Sequence, residues 1–105
     1  MNFPENIGNL ESLLYLDLNN NHLLILPESI GNLRQLKYLD ISQNWWDTLP
    51  YEITKLRELK TLIIDEYFAY GLQEMRYFYA WFKKIGHALK ISQYVEKEKD
   101  RGEGI

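Results

Sequence analysis

The sequence has no cysteine among its 105 residues, which removes disulfides, thiolate zinc sites and cysteine nucleophiles in one step. That absence suits a reducing and an oxidising compartment equally and assigns neither. Charge of one sign is also scarce. With 12 Lys and Arg against 15 Asp and Glu, the net charge is -3. This gives no sequence-wide attraction to phosphate, so nucleic acid is not an expected partner. No segment approaches the roughly 20 apolar residues a membrane-spanning helix needs, because charge soon interrupts Ile63-Ile64 and Tyr77 to Phe82. The opening Met1-Asn2-Phe3-Pro4-Glu5-Asn6 lacks the basic segment and apolar run of a secretory signal. No Asn-x-Ser/Thr sequon occurs, and a cytoplasmic protein is the expectation. Phosphate-loop, dinucleotide and zinc-protease signatures are absent too, so neither enzyme activity nor a cofactor is expected.

Proline and glycine are few, 3 and 6, and their placement is the first sign of order. Phe3-Pro4-Glu5-Asn6-Ile7-Gly8-Asn9-Leu10 recurs as Leu26-Pro27-Glu28-Ser29-Ile30-Gly31-Asn32-Leu33 and again as Leu49-Pro50-Tyr51-Glu52-Ile53-Thr54-Lys55-Leu56. The offset is 23 residues each time (26 less 3, 49 less 26). A fixed period of this length marks a repeat architecture. Inside each unit runs the pattern L-x-x-L-x-L-x-x-N, as Leu13, Leu16, Leu18, Asn21 and as Leu36, Leu39, Ile41, Asn44. The third copy keeps Leu59, Leu62 and Ile64 and has Tyr67 in place of asparagine.

The spacing has its own physical reading. Leu16 and Leu18 flank Asp17, and Leu39 and Ile41 flank Asp40, so on a short strand the apolar pair faces inward and the acid outward. One such strand cannot bury its face alone. Stacked units would align the leucine and isoleucine columns into one core, closed on its other side by Ile7, Leu10, Ile30, Leu33, Ile53 and Leu56. Leu23 and Trp46 should complete each coil. Asn21 and Asn44 sit where the chain must leave the strand, and a buried amide there would satisfy backbone groups of adjoining coils. Pro27 and Pro50 fix the backbone before the next segment, and Gly8 and Gly31 suit a tight bend.

These residues resemble the leucine-rich repeat family in its 23-residue form, with units that begin Leu-Pro and contain Ile-Gly-x-Leu; the resemblance covers residues 3 to 67. It implies an α/β fold, a leucine-rich repeat solenoid with a short parallel sheet. It also implies a protein–protein interaction module whose partners meet the outward strand positions. In this sequence those positions form three rows: Tyr15, Tyr38 and Thr61; Asp17, Asp40 and Ile63; Asn19, Ser42 and Asp65. The candidate protein-binding residues are therefore Tyr15, Asp17, Asn19, Tyr38, Asp40, Ser42 and Asp65. Trp45 joins them because its counterpart in the first unit is His22, a surface residue type; packing against the carboxy-terminal segment is the other reading of this residue. The face is acidic with an aromatic column, which suits a protein partner with a basic patch.

Periodicity stops after Ile64. Residues 68–99 read as one capping helix, bent near Gly86, because Leu72, Met75, Phe78 or Tyr79, Phe82, Ile85 and Leu89 recur at helical spacing. Residues 100–105 read as a polar, disordered tail. The helix reads as a lid on the last coil, with a docking surface for a partner helix, or a membrane-surface anchor through Trp81 and Phe82 beside Lys83 and Lys84, as the alternatives. Glu74, Glu96 and Glu98 dilute its basic face, so a membrane partner is disfavoured. At the amino-terminal end the first strand reads as an uncovered edge, which points to a piece of a longer array or to a homo-dimer through that edge. His22 and His87 read as solvated imidazoles, and no metal site is expected.

Overall fold

The structure, a computed structural model, describes residues 5–66, 76–86 and 89–92. Strands β1 (Tyr15–Asp17), β2 (Tyr38–Asp40) and β3 (Thr61–Asp65) come from the three repeats, and β4 (Leu89–Ser92) follows the helix α1 (Arg76–Ile85). The four strands form one sheet in the order β1-β2-β3-β4, parallel throughout. Register follows the sequence period: Tyr15, Tyr38 and Thr61 lie side by side, as do Leu16, Leu39 and Leu62. Opposite the strands, each unit runs through a 3-10 segment, at Glu5–Asn9, Glu28–Asn32 and Tyr51–Lys55.

The repeated residues explain these elements. Pro27 and Pro50 have φ near -70° and extended ψ (-69° and 153°; -71° and 146°), and their carbonyls accept from Ile30 and Ile53 N–H at 3.1 Å to start the 3-10 turn. Parallel strands this short cannot stand alone, and inward leucines supply the drive. Ile30, Leu33, Leu36, Leu39, Ile53, Leu56 and Leu62 are fully buried. Leu23 and Trp46 complete their coils as expected, joined by Leu26 and Leu49 before each proline. Leu10 departs from the expected core: it is 52% exposed, and Ile7, Leu13 and Leu16 are only partly buried, because among the described residues no coil packs on their outer side.

Gly8 and Gly31 serve close packing, and no glycine among the described residues has a positive φ. A Cβ on Gly31 would lie 2.7 Å from the Glu52 carbonyl oxygen, and one on Gly8 2.7 Å from Ser29 Cβ. The expected tight bend is made elsewhere, at Asn20 (φ 58°) and Gln43 (φ 57°), where the chain leaves each strand.

The expectation of a single helix through residue 99 is corrected. Helix α1 ends at Ile85, and Leu89–Ser92 pairs with β3, matching Leu62 to Leu89 and Asp65 to Ser92. Gly86 weakens helix continuation at that point. The free edge of β3 offers backbone partners to a segment whose apolar and polar residues alternate. Within α1, Phe78, Trp81, Phe82 and Ile85 recur at helical spacing and are all buried. Trp81 Nε1 donates to the Leu56 carbonyl at 3.0 Å, which pins the helix to the third unit. Burial of each such side chain is worth roughly 1.5–3 kcal/mol. Tyr67, Leu72, Met75, His87 and the expected tail lie outside the described residues.

Candidate functional site

The outward positions divide into an exposed set and an internally bonded set. Tyr15 and Tyr38, adjacent in register, stack with ring centroids 4.1 Å apart and planes 7° from parallel. Tyr15 is 59% exposed, while Tyr38 is half-buried. Burial of Tyr38, its hydrogen bond with Tyr15 and the nearby charges of Asp40 and Asp17 push its phenol up to about 12. Asp17, two residues along, is exposed, and one of its carboxylate oxygens accepts from Asn19 N–H at 3.0 Å.

Asp40, Ser42 and Asp65 differ from their expected outward, solvent-facing placement: all three are buried. Asp40 Oδ1 accepts from Ser42 N–H at 3.0 Å and from Ser42 Oγ at 2.6 Å, and Ser42 Oγ in turn accepts from Asn19 Nδ2 at 2.8 Å. Both oxygens of Asp65 accept from Gln43 N–H, at 3.1 and 2.9 Å. Burial raises Asp65 above the ordinary carboxylate range, the Gln43 hydrogen bond opposes this, and the Asp40 charge adds to it. These three residues therefore shape the turns after β1 and β2, and Tyr15, Asp17 and part of Tyr38 stay accessible on this face.

Trp45 lies at the other end of the strand positions and is 59% exposed. Its N–H donates to the Leu23 carbonyl at 2.8 Å, and its ring meets His22 edge-on at 4.6 Å and 82°. The two rings are the same position in successive units. Just beyond them, the loops entering the second and third 3-10 segments border a groove of about 700 Å³, lined in part by Leu24, Ile25, Pro27, Glu28, Asp47 and Pro50. Leu24 (44%) and Ile25 (64%) are exposed and were not foreseen. The signal was in the repeat: where the first unit has Leu24-Ile25, the second has Asp47-Thr48.

Among the described residues no group of three His, Asp or Glu is placed to hold a metal ion, and no helix is long and apolar enough to cross a membrane. No buried side-chain nitrogen or oxygen among them lacks a hydrogen-bond partner.

Parallel strands in register at a 23-residue offset, 3-10 segments opposite them and an asparagine at the strand exit define a repeat protein of the α/β class. Comparison with protein families matches residues 2–79 to a leucine-rich repeat region, and the chain belongs to the leucine-rich repeat family. No curated protein matches it. Domains of this family generally mediate protein–protein interaction and are typically non-catalytic.

Proposed function

We propose that the chain is the recognition or scaffold segment of a leucine-rich repeat solenoid, binding a partner protein at the outward strand face and performing no bond chemistry. The observation that carries this reading is the Tyr15–Tyr38 stack, which leaves Tyr15 59% exposed beside the exposed carboxylate of Asp17. One face of the Tyr15 ring is taken by Tyr38. The rest offers a flat aromatic surface, and Asp17 supplies a charge two residues away. An arginine or lysine side chain suits that pair through cation–π contact and charge pairing. The test replaces Tyr15 with a photo-crosslinking amino acid in cells of the source organism, with the exposed Arg57 position as control. A cross-linked protein at position 15, absent at position 57 and at least tenfold reduced by Asp17→Lys, is the expected result; no cross-link at position 15 overturns the reading.

A second reading, a structural end-cap of a longer repeat array, draws on helix α1. Phe78, Trp81, Phe82 and Ile85 are buried, and α1 packs on the third 3-10 segment. A membrane-surface role for the helix would need Trp81 and Phe82 on its free side, and both are buried.

A further inference from the structure

The loop that follows the first strand turn is apolar without a structural reason to be so. Its Leu24 and Ile25 are 44% and 64% exposed, and the same positions one unit later are Asp47 and Thr48, also exposed. The repeat thus builds this loop equally well from polar residues. Exposed apolar side chains that the fold does not require, beside a groove, mark a contact surface. Its charged lining is of one sign: Glu28 and Asp47 are both acidic, and no basic residue lines the groove.

We propose that the groove between the loops at residues 24–29 and 47–50 docks a partner protein segment that inserts a leucine-like side chain against Leu24 and Ile25 and sets flanking arginine or lysine against Glu28 and Asp47. The occupant follows from charge complementarity. Two carboxylates bordering an apolar floor repel an acidic segment and give a purely apolar one no partner for its flanks. An anionic membrane surface is disfavoured by the same charges. The proposal rests on the protein-binding reading above and adds a second surface, apart from the Tyr15 face.

The test uses the full chain and a fluorescein-labelled peptide with a central leucine flanked on both sides by arginines, followed by fluorescence anisotropy and by amide shifts in NMR. Two control peptides carry glutamates in place of the arginines, or serine in place of the leucine. The key protein variant is Leu24→Asp with Ile25→Thr, which copies the sequence the second loop already uses and so keeps the fold, as circular dichroism would verify. A second variant is Asp47→Lys. The expected result is saturable binding that shifts amides at residues 24–28 and 47–48, weakened at least tenfold by either control peptide and by either variant. Equal binding by the control peptides, binding unchanged in both variants, or no binding overturns the proposal. Binding that moves instead with Tyr15→Ala or Asp17→Lys overturns it while leaving the outward-face reading intact. Cross-linking at position 15 judges that reading separately, so the two can fail independently.

Discussion

Asn44 Nδ2 donates to the carbonyl of Leu18, 26 residues earlier in the chain, at 2.8 Å, while Asn44 Oδ1 accepts from the N–H groups of Asn21 and Leu23 at 3.0 and 2.9 Å. One buried amide therefore closes three backbone groups of the preceding coil. Replacing Asn44 by leucine strands the Asn21 and Leu23 N–H groups, while the Leu18 carbonyl keeps Asn21 Nδ2 as a donor, and each buried unsatisfied group costs roughly 1–3 kcal/mol. A loss of about 3 kcal/mol or more is expected in denaturant unfolding. Asn21 occupies the same position one unit earlier but is exposed, and its side-chain amide donates to the Leu18 and Asn19 carbonyls of its own turn. Asn21→Leu should cost under about 1 kcal/mol, because water can replace its bonds. Equal losses at the two positions would mean the asparagine works through its own turn and not through the neighbouring coil.

The glycines make the second prediction. Neither Gly8 nor Gly31 has a positive φ, so alanine is conformationally acceptable at both. Space decides the outcome: at Gly31 the added methyl meets backbone, the Glu52 carbonyl oxygen at 2.7 Å, which cannot rotate aside. Gly31→Ala should push the second and third coils apart and cost about 1–3 kcal/mol. Gly86→Ala meets nothing within 4 Å and should be neutral or slightly stabilising. Thermal melts of the two variants, compared directly, separate packing from backbone freedom.

The 23-residue period made the stacked strands, the buried leucines and the Asn44 role readable, because each depends only on spacing. It could not reveal the burial of Asp40, Ser42 and Asp65. Alternation sends them outward, and what covers them is the turn chemistry: Asp40 bound to Ser42, Asp65 to Gln43. The fourth strand also escaped the period, since Leu89 pairs with Leu62 at an offset of 27 residues (89 less 62), out of phase with the repeat. Leu89-Lys90-Ile91-Ser92 does alternate apolar with polar, but Leu89 equally extends the helical spacing of Phe82 and Ile85. The free edge of β3 broke that tie, and an edge is a tertiary feature.

Trp81 joins helix α1 to the third unit by packing and by one hydrogen bond, and two substitutions separate those contributions. Trp81→Phe keeps most of the ring and removes the Nε1 donor, leaving the Leu56 carbonyl without it. A loss of about 1–3 kcal/mol is expected. Trp81→Ala removes a ring that is 3% exposed, and a loss of about 3–5 kcal/mol is expected. Chemical denaturation followed by far-ultraviolet circular dichroism measures both. A small effect from the alanine variant would mean that α1 docks chiefly through Phe78 and Ile85.

Asp65 gives the structure a pH dependence of unusual sign. Its carboxyl is raised in the folded state from its ordinary value of 3.8, first by burial, and the Asp40 charge adds to the rise. Between the unfolded and folded pKa the native state holds more protons than the unfolded one, so this group's stabilising contribution is full below 3.8 and is lost as pH rises through the folded value. Most paired carboxylates act in the opposite direction, so a single stability curve would hide the effect. The difference between wild type and Asp65→Asn isolates it, because asparagine retains an oxygen to accept from Gln43 N–H and carries no charge. The stability of Asp65→Asn relative to wild type should rise as pH climbs from below 3.8 through the folded value and then hold a constant difference. A difference that stays flat across that range, or that shrinks as pH rises, would mean that the Gln43 hydrogen bonds outweigh burial and that the carboxylate is stabilised where it lies.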